Sequence, residues 1–148
     1  MWTPAKSVRL SSICTKVAIV LVVVFAAAIP FLVGSYMDYS GKDPGLAGPL
    51  SFTLYACALP GLASLFCLDR LLSNINRGDV FIDKNVALLR TISWCSFAVS
   101  AILLVSGAYY ILFLMVAIAA AFLGLILRVV KNVIEQAIII KKENDYTI

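Results

Sequence analysis

The chain has 148 residues, 62% of them hydrophobic and only 14% charged, where an ordinary soluble domain carries about 25%. A mean hydropathy of +1.00 excludes a soluble globular fold, and a net charge of +4 is then explained by basic loops at a membrane surface rather than by nucleic acid. Histidine is absent, which removes the commonest general base and metal ligand. Cys14, Cys57, Cys67 and Cys95 have no paired spacing and read as small apolar packing residues.

The first segment, WTPAKSVRLSS, has Thr3 and Pro4 in the order of a helix cap and a first-turn residue. It reads either as a short interfacial helix anchored through Trp2 or as a disordered leader. An uncharged run then extends from Val17 to Met37, 21 residues, enough for one helix across about 30 Å of hydrocarbon. Pro30 predicts a kink in its outer third. A cleaved signal peptide is the rival reading, with Lys6, Arg9 and Lys16 as its basic region and Ala26-Ala27-Ala28 as its cleavage site. The apolar run continues past those alanines through Ile29 to Val33, which favours a retained span.

The second run, Pro44 to Leu68, opens on Gly and Pro and becomes a span near Leu50, with Pro60-Gly61 as the expected kink or close helix contact. The connection that follows, DRLLSNINRGDVFIDKNVALLRTISW, has turn chemistry at Asn76 to Asp79 and a predicted helix cap at Asp83. Val86, Leu89 and Ser93, or Leu88 and Ile92, give the next helix an apolar stripe.

The third run, Thr91 to Leu127, has 37 residues without a charge. One straight helix of that length would measure about 55 Å, nearly twice the hydrocarbon thickness. Two spans broken at Ser106-Gly107 fit instead. Tyr109 and Tyr110 are expected at the outer interface and Trp94 near the inner one. Within the third and fourth spans, Ser96/Ser100, Ala117/Ala121 and Ala120/Gly124 read as helix-contact residues.

The expected architecture is therefore an all-α membrane protein, a single domain and a four-helix bundle, with spans at about 15–36, 50–70, 87–106 and 109–130. All Lys and Arg except Lys42 fall on one side of it, so both termini and the elbow between spans two and three are expected in the cytoplasm. The cytoplasmic tail, 131–148, continues the fourth helix. Val130, Ile134, Ala137 and Ile138 share one face, and Lys131, Asn132, Glu135 and Gln136 another. That stripe must lie on the membrane, on the elbow or on another protein. The sharper reading makes Phe81, Asn85 and Arg90 of the elbow, with Val130, Ile134 and Ile138 of the tail, a docking surface for a partner.

At these two cytoplasmic segments the sequence resembles a known family. The pattern L-x-N-I-x-x-G-x-x-F-x-x-x-N-x-x-x-L-R-x-I is carried by Leu72, Asn74, Ile75, Gly78, Phe81, Asn85, Leu89, Arg90 and Ile92, and the ending E-N-D-Y-T-I by Glu143 to Ile148. Together they resemble the bacterial membrane family called domain of unknown function 2975. The resemblance implies four spans in the bacterial cytoplasmic membrane and no assigned enzymatic activity. It also implies frequent encoding beside a small helix-turn-helix regulator.

No catalytic, cofactor-binding or metal-binding residue is expected. An exporter would need an intramembrane carboxylate for proton coupling, and no Asp or Glu falls in any uncharged run. A bacteriocin-immunity or scaffold protein, and a small transporter, are the alternatives. The leading expectation is a non-enzymatic membrane protein that binds or sequesters a small helix-turn-helix regulator at its cytoplasmic face, making no direct nucleic-acid contact. Its partners are the bilayer and that regulator, with a homo-oligomer left open.

Overall fold

The computed structural model describes residues 3–147. Trp2, the expected interfacial anchor, lies outside them. The described chain is helical, with α1 at Pro4–Ser40, a single 3₁₀ turn at Pro44–Leu46, α2 at Ala47–Asn76, α3 at Asp83–Ser106 and α4 at Leu112–Tyr146. Each of the four helices is long and apolar enough to cross a membrane.

Thr3 and Pro4 start α1 as their residue types predict, although Thr3 makes no side-chain capping bond. The segment after them is neither a separate interfacial helix nor disordered; it is one helix, continuous with the first span through Ser40. Pro30 and Pro60 lie inside α1 and α2 without ending either. Gly41, with φ of 61°, terminates α1 in the left-handed conformation that glycine adopts without strain. Asp43 then folds back, accepting a bond from the Gly45 amide at 2.9 Å, and α2 begins.

The helices do not close into a bundle. α1 lies against α2, α2 against α3 and α3 against α4, and among the described residues no extended contact joins α1 to α3 or α4. α3 has eight buried positions in 24 residues, whereas the longer α1 and α4 have four each, so α3 is the spine of an open array. Leu10 to Phe25 of α1 are largely exposed, as befits a helix facing acyl chains. The expected four-helix bundle fails because its outer helices are apolar on most of their circumference. Lipid solvates such a surface, so nothing drives α1 and α4 together.

α1 is held at one end only. Ile29, Val33 and Met37, one stripe of α1, meet Leu50 of α2 and Tyr110 of the α3–α4 turn, with Leu54 and Phe113 beside them. Tyr110 is 8% exposed, buried against protein rather than presented outward. It turns inward onto α1, where Lys42 lies 4.4 Å above its ring and 5.9 Å from that of Tyr36. Tyr109 and Tyr39 remain exposed.

α3 and α4 form an antiparallel seam. The buried residues of α4 are Ala117, Gly124, Lys131 and Ile138, seven apart throughout. That is the spacing of a heptad seam. Facing them, Ser100 donates to the Ala117 carbonyl at 2.8 Å and Ser93 to the Gly124 carbonyl at 3.0 Å. In lipid an unmatched hydroxyl would be costly, so the serines specify register as well as contact. Of the expected contact residues, Ser100, Ala117 and Gly124 are buried in this seam and Ser96, Ala120 and Ala121 are half-buried, and Ser93 joins them. At the end of α3, Ser106 is 2.8 Å from the Thr53 hydroxyl of α2. Thr53 spends its one proton on the Pro49 carbonyl, so Ser106 is the donor.

Candidate functional site

The α2–α3 turn, residues 77–82, and the last turns of α4 meet at one end of the molecule, the end that collects every Lys and Arg except Lys42. The turn is built around Asn85. That side chain is 1% exposed, and its amide donates to the carbonyls of Asp79 at 2.7 Å and Val80 at 2.9 Å. Its own carbonyl accepts from the Asn74 amide at 2.8 Å. Asn74 in turn offers its backbone carbonyl to the Asp79 amide at 3.0 Å. Gly78 takes φ of 90°, which a side chain would strain, and so lets the chain reverse. Asn74, Gly78 and Asn85 are thus one device that ends α2, turns the chain and starts α3.

Asp83 does not cap α3 as predicted. Ile82 is the cap residue, and Asp83 is the first residue of the helix, where its charge suits the positive helix end. Its carboxylate faces Lys142 of the tail at 3.4 Å. A second link joins Arg90 to Glu135 at 3.9 Å, and Glu135 holds Lys131 at 2.8 Å. The hydrogen bond and charge of Lys131, with Arg90 behind them, hold the Glu135 carboxyl below the usual carboxylate range, Asp83 opposing weakly.

Lys131 is the residue least expected here. It was assigned to the polar face of the tail, yet its side chain is only 10% exposed. The seven-residue seam of Ala117, Gly124, Lys131 and Ile138 carries it against α3, where Glu135 and the Asn132 side chain, 3.2 Å away, receive its ammonium. The heptad spacing on α4 was the signal that could have found it.

The residues expected to dock a partner separate into two groups. Asn85 and Ile138 are buried, 1% and 4% exposed, and offer no surface in this conformation; Ile134 is half-buried. Phe81, Arg90 and Val130 are exposed. Phe81 joins Ala137, Ile140, Lys141 and Asn144 of the tail around a groove of about 520 Å³. A second groove of about 500 Å³ runs along the tail past Val129, Val133 and Ile140. Val133 and Ile140, each more than 60% exposed, were not among the expected docking residues. The apolar face that remains accessible is therefore Phe81, Val129, Val130, Val133 and Ile140. It is rotated from the expected stripe because the seam claims Ile138.

All four cysteines are free thiols. Among the described residues no group of His, Cys, Asp and Glu could hold a metal ion.

The family described as protein of unknown function DUF2975 matches over residues 3–148, and the chain belongs to it. The chain is also similar to the uncharacterized membrane protein YoaS of Bacillus subtilis strain 168, 29% identical over 159 residues, which cover 95% of this chain and 99% of that one. No solved structure matches.

Proposed function

We propose that this integral membrane protein is non-enzymatic, resides in the bacterial cytoplasmic membrane with both termini inside, and uses its tail and α2–α3 turn to bind or sequester a small helix-turn-helix regulator. One observation carries the reading. α4 runs 35 residues, about 52 Å at 1.5 Å per residue, and some 20 of those suffice to cross the hydrocarbon. The rest, from 132 on, projects as a helix on which Val133, Ile139 and Ile140 are each at least 46% exposed. Apolar side chains at that density, beyond the depth of acyl chains, favour a protein partner. Helix-in-groove recognition uses such a face, read at spacings of three, four and seven residues; Val133, Ala137 and Ile140 have it.

The tail is tethered rather than locked. Its links to α3, Lys142 to Asp83 and Arg90 to Glu135, join half-exposed or more exposed side chains, and such pairs contribute about 0–1 kcal/mol each. Displacing the tail would uncover Ile138 and enlarge the face. A signal that shifts the helix array could therefore change partner affinity by shifting a two-state population.

Affinity isolation of the full chain from membranes, with retained proteins identified by mass spectrometry, tests this. A helix-turn-helix protein held by wild type and lost on Val133→Asp with Ile140→Asp is expected. Recovery of no DNA-binding protein by wild type refutes the proposal; undiminished recovery by the variant removes this face from it. Sidedness is checked separately with single cysteines at Lys42 and Lys84, in a chain whose four native cysteines are replaced by serine. Impermeant maleimide added to intact cells should label position 42 only.

A further inference from the structure

A second feature of the basic end is independent of the tail. The last turns of α2 and the first turns of α3 enclose a groove of about 460 Å³. α2 lines it with Arg70, Ser73, Asn74 and Arg77, and α3 with Lys84, Ala87, Leu88 and Thr91. Both sets follow the same spacing, 0, 3, 4 and 7, so one straight face of each helix looks across the groove at the other. Three cations line it and no acid does. Among the described residues none of the three forms an ion pair; of the two acids adjacent to them in sequence, Asp69 and Asp83, neither lines the groove, and Asp83 faces Lys142.

The cations are layered. Arg77 and Lys84 flank the turn at the mouth. Arg70 lies two helical turns, about 10.5 Å, further along α2, beside Thr91 at the corresponding depth on α3. Between the two levels the walls include Ala87 and Leu88, and the small Ser73 and Ala87 keep the space open. Guanidinium forks and an ammonium around one space match the several oxygens of a phosphate. The alternation of polar mouth, apolar wall and deep cation at the membrane boundary matches a headgroup with chains attached.

We propose that this groove is a binding site for a phosphate-bearing anion, held between Arg77 and Lys84 at the mouth with Arg70 beneath, and that the phosphate is the headgroup of an anionic phospholipid. The site does not depend on the regulator reading, and none of its side chains belongs to the tail. It anchors the α2–α3 turn to the leaflet through charge as Asn85 fixes it through hydrogen bonds.

The test is native mass spectrometry of the full chain in neutral detergent, titrated with phosphatidylglycerol, cardiolipin or phosphatidylcholine. Wild type should retain the anionic lipids about 30-fold or more better than phosphatidylcholine, the scale expected of two or three cations at a membrane surface. Arg77→Gln with Lys84→Gln should reduce that preference to within about threefold of none, and Arg77→Lys should keep most of it. Lys6→Gln with Arg9→Gln makes the same change in net charge on α1 and should leave retention unchanged. Equal loss in both double variants would mean that net charge alone attracts lipid, and undiminished retention in the groove variant would mean that the lipid binds elsewhere; either overturns the site. Inorganic pyrophosphate is added as a competitor. If it binds wild type but not the groove variant while lipid shows no preference, the anion site stands and its ligand is soluble. Size exclusion confirms that each variant is folded. If the groove double variant is not, Arg70→Gln, a single change at an exposed position, replaces it with the same expected direction.

Discussion

Replacing Asn85 by alanine should loosen the α2–α3 turn by an amount that can be worked from its bonds. The substitution orphans the Asn74 amide and the carbonyls of Asp79 and Val80, which now meet Asn85 at 2.7–2.9 Å. A buried polar group that loses its partner costs about 1–3 kcal/mol. Asp79 is exposed, and Val80 and Asn74 are half-buried, so water reaches these groups in part and the low end applies. The expected total is about 3 kcal/mol. At 1.4 kcal/mol per factor of ten, the open form of the turn should become about 100-fold more populated. Hydrogen exchange of residues 77–85 in lipid nanodiscs reads this directly, because the amides of Gly78, Asp79 and Asn85 are bonded within the turn to Ile75, Asn74 and Ile82. Acceleration of less than about threefold would refute the assignment of Asn85 as the keystone. Asn85→Asp adds a sign. Its carboxyl would face two carbonyl oxygens against one amide, raising its folded pKa above the ordinary value of about 3.9. The variant should therefore be most stable below about pH 4 and lose stability as pH rises.

Three further outcomes follow from the seams and the tail clamp. Gly124→Ala places a methyl 3.0 Å from the Phe97 ring, and Gly124→Leu fills that space entirely. The first should cost about 1 kcal/mol and the second clearly more, read as a graded fall in melting temperature in detergent. Glu135→Gln removes the carboxylate that receives Lys131, so exchange in residues 136–146 should quicken at pH 7. Because the folded pKa of Glu135 is lowered, its contribution is present above the unfolded carboxylate range and lost as pH falls through the folded value, so wild type should come to resemble the variant in acid. Tyr110→Leu removes the ring beneath Lys42, and Tyr110→Phe keeps it. Tryptic cleavage after Lys42 should rise two- to fivefold for Leu only, the size of a cation–π contact of about 0.5–1 kcal/mol.

What could be read from the sequence was what depends on solvent. Charge-free length identified four apolar helices, and the 37-residue run had to break where Ser106 and Gly107 do end α3. What could not be read depends on which neighbour a helix face meets. Val86, Leu89 and Ser93 were expected to share a stripe, and all three are buried. Which serines of α3 meet a carbonyl of α4 is not legible, because adjacent turns look alike until a partner selects Ser93 and Ser100. Tyr110 is expected at the outer end of the spans from its residue type, and its contacts with Met37 and Lys42 depend on neighbours that residue type does not reveal. Asp83 is expected as a cap one residue too late, within the usual uncertainty of helix ends.

The two asparagines and the glycine of the family pattern bear on function by exclusion. A residue in a family pattern can be there for a partner or for the fold, and residue type does not decide between them. Here geometry does for Asn74, Gly78 and Asn85. Their side chains and backbone satisfy one another, and Asn85 is closed to any partner. Leu89 and Ile92 of the same pattern are buried too. Leu72 and Ile75 are half-buried, and the exposed side chains of the pattern are Phe81 and Arg90, the two members that reach the tail, one through a shared groove and one through Glu135. A turn held by three internal bonds and presenting those two side chains is a fixed platform, and in the proposed function the tail, joined to α3 by exposed ion pairs, is the piece that moves against it. Partner recognition is therefore expected to respond to changes at Phe81, Val133 and Ile140 without loss of fold. Changes at Asn74, Gly78 or Asn85 should lower both together.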